Sequence, residues 1–174
     1  FRKDVERSAR VRAPRAAPDG LAALSAGLSA GEIPPLVAFN TTFQPAERDP
    51  RAVHEFQGGE DAALARLEAY FWQHDALACY KETRNELLGA NYSSKFSPWL
   101  AAGCISPRRI WQQVQEYERL RIKNESTYWL IFELIWRDYF RFLGAAFGAK
   151  LFKRSGIRSR SGIRSHIGRV CVRG

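Results

Sequence analysis

Between Gly58 and about residue 150, apolar positions recur at helical spacing and no stretch alternates as a strand would. Ala62, Ala63, Leu64, Leu67, Tyr70 and Phe71 keep a period of about 3.6 residues behind Gly58-Gly59-Glu60-Asp61. The acidic pair there suits a helix N-terminus, where backbone N–H groups carry partial positive charge. A second helical stretch is predicted over about 75–87, with Tyr80, Arg84 and Leu87 roughly on one face. Gly89 and Asn91 mark a turn. Ser97-Pro98 predicts a short helix with Ser97 as cap and Pro98 as first residue, closed by Gly103. Ser106-Pro107 repeats that signal for a helix through about Arg121, and Asn124-Glu125-Ser126-Thr127 introduces a long aromatic one, Thr127 to Phe147. The predicted fold class is all-α.

The two ends read differently. Residues 1–57 are rich in Ala, Pro and Gly, and apart from Leu21–Leu28 they hold no apolar period, so an extended inter-domain linker is expected. Residues 153–174 contain the near-repeat SGIRSR/SGIRSH, with no acidic residue and no amphipathic face. Such a segment buries too little apolar surface to offset its ordering entropy, and a disordered basic tail is expected. The helical domain is thus assigned to 58–152.

The net charge of +9 over 174 residues suggests a nucleic-acid partner, but its distribution weakens that argument. Residues 1–15 hold six basic and two acidic side chains, and residues 150–174 hold eight basic and none acidic. What lies between is net acidic. Cys79, Cys104 and Cys171 lie far apart without CxxC spacing, so neither a metal site nor a disulfide framework is expected. An intracellular, reducing compartment fits them. The densest apolar run, Tyr128 to Phe147, contains Glu133, Arg137, Asp138 and Arg141, which favours a buried helix over a membrane span. The chain has no Met and starts at Phe1, and it is expected to lack its natural N-terminus.

Two constellations carry chemistry. Ser93, Ser94, Lys95 and Ser97 precede Pro98, so hydroxyl donors and a positive charge gather where a helix start leaves N–H groups unpaired. The plainer alternative is a helix cap beside a solvated lysine. On the aromatic helix, Trp129, Phe132, Trp136 and Phe140 share one face, while Tyr128, Tyr139, Phe142 and Phe147 spread aromatics around the rest. Glu133 and Arg137 are four residues apart, so a core helix with one internal ion pair is the plainer reading here. A carboxylate between Trp129 and Trp136 is also a candidate for ligand contact, because burying it unpaired costs several kcal/mol. Together the two features suggest a pocket for a phosphate-bearing aromatic ligand.

The words YKETRN (80–85), YSSKFSPWLAAGCISPR (92–108) and NESTYWLIFELIWRDYFRF (124–142) resemble the photolyase/cryptochrome family, within it the cryptochrome DASH branch. FRKDVE (1–6) resembles its inter-domain linker, and GGEDAALARLEAYFW (58–72) the start of its helical domain. The resemblance covers about residues 1–152. It implies an α/β antenna domain ahead of this chain, which would hold a folate-type antenna chromophore, and a helical domain that folds FAD back on itself. Tyr80, Ser93, Ser94, Lys95, Phe96 and Ser97 match positions that hold the diphosphate and ribityl part of FAD, and Arg137 lies against the flavin side. Arg84 matches a DNA-contacting arginine. Glu133 and Trp136 match the carboxylate and indole that face a flipped-out pyrimidine dimer, as catalytic and DNA-binding residues.

The implied activity is FAD-dependent, blue-light-driven repair of cyclobutane pyrimidine dimers, mainly in single-stranded DNA, of deoxyribodipyrimidine photolyase type. A monomer with no membrane partner is expected. The family's flavin-ring contacts, second lesion-stacking aromatic and photoreducing tryptophan chain would all fall beyond residue 152, so weak or absent flavin binding is expected of this chain alone. The alternatives are a cryptochrome-type blue-light photoreceptor, and a fragment that binds neither FAD nor DNA. Nucleus, chloroplast and mitochondrion all stay open.

Overall fold

The structure is a computed structural model that describes residues 1–154, 156 and 157, except Leu21, Leu24, Ala30, Ile33, Phe43, Pro45, Ala46 and Arg48. Of the expected basic tail, only Lys153, Arg154, Gly156 and Ile157 are described; the SGIRSR/SGIRSH repeat otherwise lies outside. Two units result, one made of Phe1–Pro14 with Phe56 onward, the other of Arg15–Glu55. In the second unit a one-turn 3-10 helix spans Leu36–Ala38, and Asp49 closes a turn by accepting from the Arg51 backbone N–H at 2.9 Å.

The first unit is helical, and no strand occurs among the described residues. Its elements are α1 (Arg2–Ser8), α2 (Glu60–Glu68), α3 (Tyr80–Thr83), α4 (Ser97–Ala102), α5 (Pro107–Leu120) and α6 (Glu125–Phe147). Helix α2 runs on through a π turn, Ala69–Gln73, and a 3-10 turn, Ala76–Cys79, leads into α3. Long α6 is the spine, packed by α3, α5, α1 and the 3-10 turn. The predicted period on α2 is the one that buries: Ala63, Leu67, Tyr70 and Phe71 meet Phe96, Trp99, Ile110, Val114 and Tyr117 in one core. Its centre is an aromatic cluster, with Phe71 6.1 Å from Phe96 and 6.0 Å from Tyr117. The Trp99 indole N–H donates to the Gln57 carbonyl at 2.7 Å, so burying it leaves no donor unmet.

Several element boundaries differ from the sequence expectation, each for a local reason. Residues 2–8 form a helix where an extended linker is predicted, because Phe1 packs on Tyr139 and Phe142 of α6 and the Tyr128 hydroxyl donates to Glu6. The helix predicted over 75–87 is broken up. Asp75 takes a left-handed conformation (φ 53°), and its carboxylate accepts from the Tyr117 hydroxyl at 2.6 Å and from Arg121 at 2.7 Å. Helix α3 then ends at Thr83, so Leu87, 84% exposed, shares no helical face with buried Tyr80. Ser97 is the first helical residue of α4, not its cap, and its hydroxyl makes no capping bond. Gly103 does close α4, at φ 77°. Ser106 caps α5 by accepting from the Arg109 N–H at 3.1 Å, and Asn124 with Thr127 forms a reciprocal box at the start of α6.

Helix α6 is less buried than its composition predicts. Trp136 is 41% exposed and Phe140 60%, because the elements packed on α6 leave that stretch of its surface bare among the described residues.

Candidate functional site

The Ser93–Ser97 loop is held from below by Arg66 of α2. The guanidinium donates to the carbonyls of Ser94 (3.0 Å), Ala90 (2.9 Å) and Ser93 (3.2 Å), and to Asn91 Oδ1 (2.9 Å). It also lies 5.0 Å over the Tyr70 ring. Gly89 lets the preceding turn close: a Cβ there would come within 2.4 Å of the Tyr92 ring. The Thr83 hydroxyl donates to the Tyr92 carbonyl at 2.8 Å, which ties the loop to α3. Lys95 adopts φ 58°, uncommon for a residue with a side chain, and Phe96 follows in the right-handed region (φ −74°, ψ −13°). Alternating hands of this kind curve successive amide N–H groups around a concavity suited to an anion.

The residues of that loop play unlike parts. Ser94 and Phe96 are buried, Ser93 and Lys95 are half-buried, and Ser97 is exposed. Lys95 Nζ donates to Ser93 Oγ at 3.5 Å. The predicted α4 contribution is small, because six residues carry little dipole. As a donor set, the loop still fits a diphosphate. It offers hydroxyls, an ammonium, and amide N–H groups from Ser93 to Phe96 that have no acceptor among the described residues.

Tyr80 and Phe96 meet through Tyr70, whose ring lies edge-on to both at 6.5 and 6.1 Å. Burial, and after it the nearby Glu133 carboxylate, pushes the Tyr80 hydroxyl up to about 12, so it stays protonated at neutral pH. Arg84, one turn on, donates to Glu133 at 2.6 Å, and its guanidinium covers the Trp129 ring at 5.4 Å. Lys81 covers the same ring at 5.3 Å and pairs with Glu125.

The expected internal pair of α6 does not form. Glu133 reaches across to Arg84, while Arg137 turns to Asp138 at 3.1 Å. Side chains four apart on a helix pair only weakly, and a cation just past the end of α3, at 2.6 Å, wins. Trp136 stands at the surface, stacked on Phe140 (5.7 Å, 26°) and edge-on to Phe132 and Tyr139. Tyr70 Oη and Trp129 Nε1 are buried with no hydrogen-bond partner among the described residues.

Cryptochrome DASH of Gloeobacter violaceus is 57% identical over 158 residues, covering 91% of this chain and 31% of its own length. Cryptochrome DASH of Natronomonas pharaonis is 51% identical over 161 residues, 92% of this chain and 33% of that protein. A crystal structure of Synechocystis cryptochrome superposes with a TM-score of 0.80 at 52% identity, over 90% of this chain and 32% of that one.

The chain belongs to the photolyase/cryptochrome family, in its cryptochrome DASH branch.

No family model matches the sequence. Members of this family generally bind FAD and interact with DNA. The chain spans about a third of the length of the curated relatives it matches. A relative of Arabidopsis thaliana, 48% identical over 162 residues, is named chloroplastic/mitochondrial. Among the described residues no helix is long and apolar enough to cross a membrane, and no group of His, Cys, Asp and Glu could hold a metal ion.

Sequence reasoning missed Arg66. A signal was present: Ala63, Arg66 and Tyr70 follow at three and four residues, so the helical period puts Arg66 on the buried face with its neighbours. An arginine on a core face needs acceptors, and the turn at 89–94 supplies them.

Proposed function

We propose that the full-length protein carrying this chain repairs cyclobutane pyrimidine dimers, mainly in single-stranded DNA, using FAD and blue light. The observation that carries the reading is a juxtaposition at α6: Arg84, just past the end of α3, bonded to Glu133 at 2.6 Å, with Trp136 exposed one turn further along α6. FAD, reduced and excited by light, would supply an electron that opens the cyclobutane ring and then returns. Everything else falls to the protein. Trp136 offers a bare indole on which an extruded dimer can stack, offsetting an unstacking cost of a few kcal/mol. Glu133 accepts hydrogen bonds at the lesion's polar edge. The Arg84 guanidinium meets its charge, so the carboxylate opposes a developing radical anion less than a bare one would. In this reading Arg84 also contacts the DNA.

In the same reading Tyr80, Phe96 and Ser93–Ser97 hold the cofactor's diphosphate and ribityl part, and Arg137 lies on its flavin side. A folate-type antenna belongs to a separate domain, the protein acts as a monomer, and its compartment is an organelle or the nucleus. A photoreceptor would need the cofactor loop alone; the exposed indole beside a paired carboxylate favours repair. The test is to illuminate the purified full-length protein with a dimer-containing single-stranded oligonucleotide. Dimers disappear in blue light and persist in the dark. Equal persistence in both would overturn the reading.

A further inference from the structure

We infer that Arg66 is a positioning residue for the diphosphate: it fixes the direction of the loop's amide N–H groups and places a positive charge beneath them. The inference rests on the reading of Ser93–Ser97 as the diphosphate loop.

The geometry is specific. The described peptide bonds are all trans, so each N–H points opposite to the carbonyl of its own peptide unit. Arg66 draws the Ser93 and Ser94 carbonyls inward, at 3.2 and 3.0 Å. The N–H groups of Ser94 and Lys95 belong to those same units and are thereby turned outward, and neither has an acceptor among the described residues. Without Arg66, nothing described would hold both carbonyls on one side.

Charge gives a second, independent line. Arg66 is only 7% exposed, and burial lowers its pKa, an effect its contact with Tyr70 partly opposes. No carboxylate among the described residues pairs with it; its acceptors are three carbonyls and one amide oxygen. The usual solution for a buried charge is an ion pair. Here the guanidinium is solvated by neutral oxygens, so its positive charge remains available to an anion on the far side of the loop. The uncommon backbone of Lys95 is explained by the same clamp, since strained residues persist where their surroundings over-determine them.

The test uses the 174-residue chain labelled with nitrogen-15 and titrated with inorganic pyrophosphate at low and moderate salt. Amide shifts at Ser94 and Lys95 are the readout. In the parent, both move on titration and the affinity falls with added salt. Arg66→Met, checked for fold by circular dichroism, is expected to lose roughly tenfold in affinity, with its salt dependence flattened. Arg66→Lys keeps the charge and part of the clamp, and it is expected to recover most of that loss. Equal affinity in parent and Arg66→Met would overturn the role of Arg66 while leaving the loop's role intact. So would an Arg66→Lys chain that binds no better than Arg66→Met. A parent whose Ser94 and Lys95 amides ignore pyrophosphate would overturn the underlying loop reading as well. Should Arg66→Met fail to fold, Arg66→Gln takes its place, with the same expected loss and the same overturning result.

Discussion

Tyr80 and Trp99 show how differently two buried aromatic residues can be probed. Tyr80 holds its proton up to about 12, against about 10 for an unfolded tyrosine. The folded state therefore binds that proton more tightly. Its contribution to stability is complete below pH about 10 and is lost as pH rises from there through about 12, at up to roughly 1.4 kcal/mol per pH unit. Urea titrations at pH 8 and pH 11 should show Tyr80→Phe losing less stability than the parent across that window. Equal losses would place the hydroxyl in a wetter setting than the structure gives it. Trp99 is 3% exposed and Trp136 41%, so replacing each by Ala separates core from surface. Trp99→Ala should cost the chain about 3–5 kcal/mol, whereas Trp136→Ala, which gives up only half-exposed ring contacts, should cost about 1–2 kcal/mol. A loss at Trp136 as large as that at Trp99 would mean that its ring is buried.

At the scale of elements, the start of α6 is the clearest local specification. Asn124 accepts from the Thr127 N–H at 3.0 Å, and its amide also donates to the Ala78 carbonyl at 2.8 Å, joining the cap to the 3-10 turn. Asn124→Ala should cost roughly 1–2 kcal/mol in denaturant unfolding, above a cap's usual share because both bonds go. A change below about 0.3 kcal/mol would show the cap to be redundant. Helices α2, α5 and α6 were legible because their signals are local: an acidic start, a Ser-Pro cap and an Asn cap, each followed by apolar spacing. The break at Asp75 was not, because Tyr117 and Arg121 impose it from 42 and 46 residues away. For the same reason the partner of Glu133 was misjudged. Spacing proposes Arg137, and only the packing of α3 on α6 brings Arg84 to it. The Ser93–Ser97 loop could be read as an anion site from composition, but its supports, Arg66 and the alternating backbone at Lys95 and Phe96, belong to tertiary structure.

Across the whole molecule, one exposed aromatic face on α6 lies next to an ion pair that reaches it from α3, and a donor-rich loop is tied to α3 at Tyr92. Under the proposed function Trp136 binds the lesion and Glu133 tunes the chemistry, and these roles separate cleanly. The decisive measurement is made on the full-length protein, comparing repair per absorbed photon with affinity for a dimer-containing single strand at equal flavin occupancy. Trp136→Ala should weaken lesion affinity by about 1–3 kcal/mol, the worth of one stacked base. Glu133→Gln should bind within a few fold of the parent yet repair with a lower quantum yield, and flavin content should survive both changes because Ser93–Ser97 is untouched. If Trp136→Ala binds the lesion as tightly as the parent, or Glu133→Gln repairs as well per photon, α6 is a structural helix and the proposed roles are contradicted.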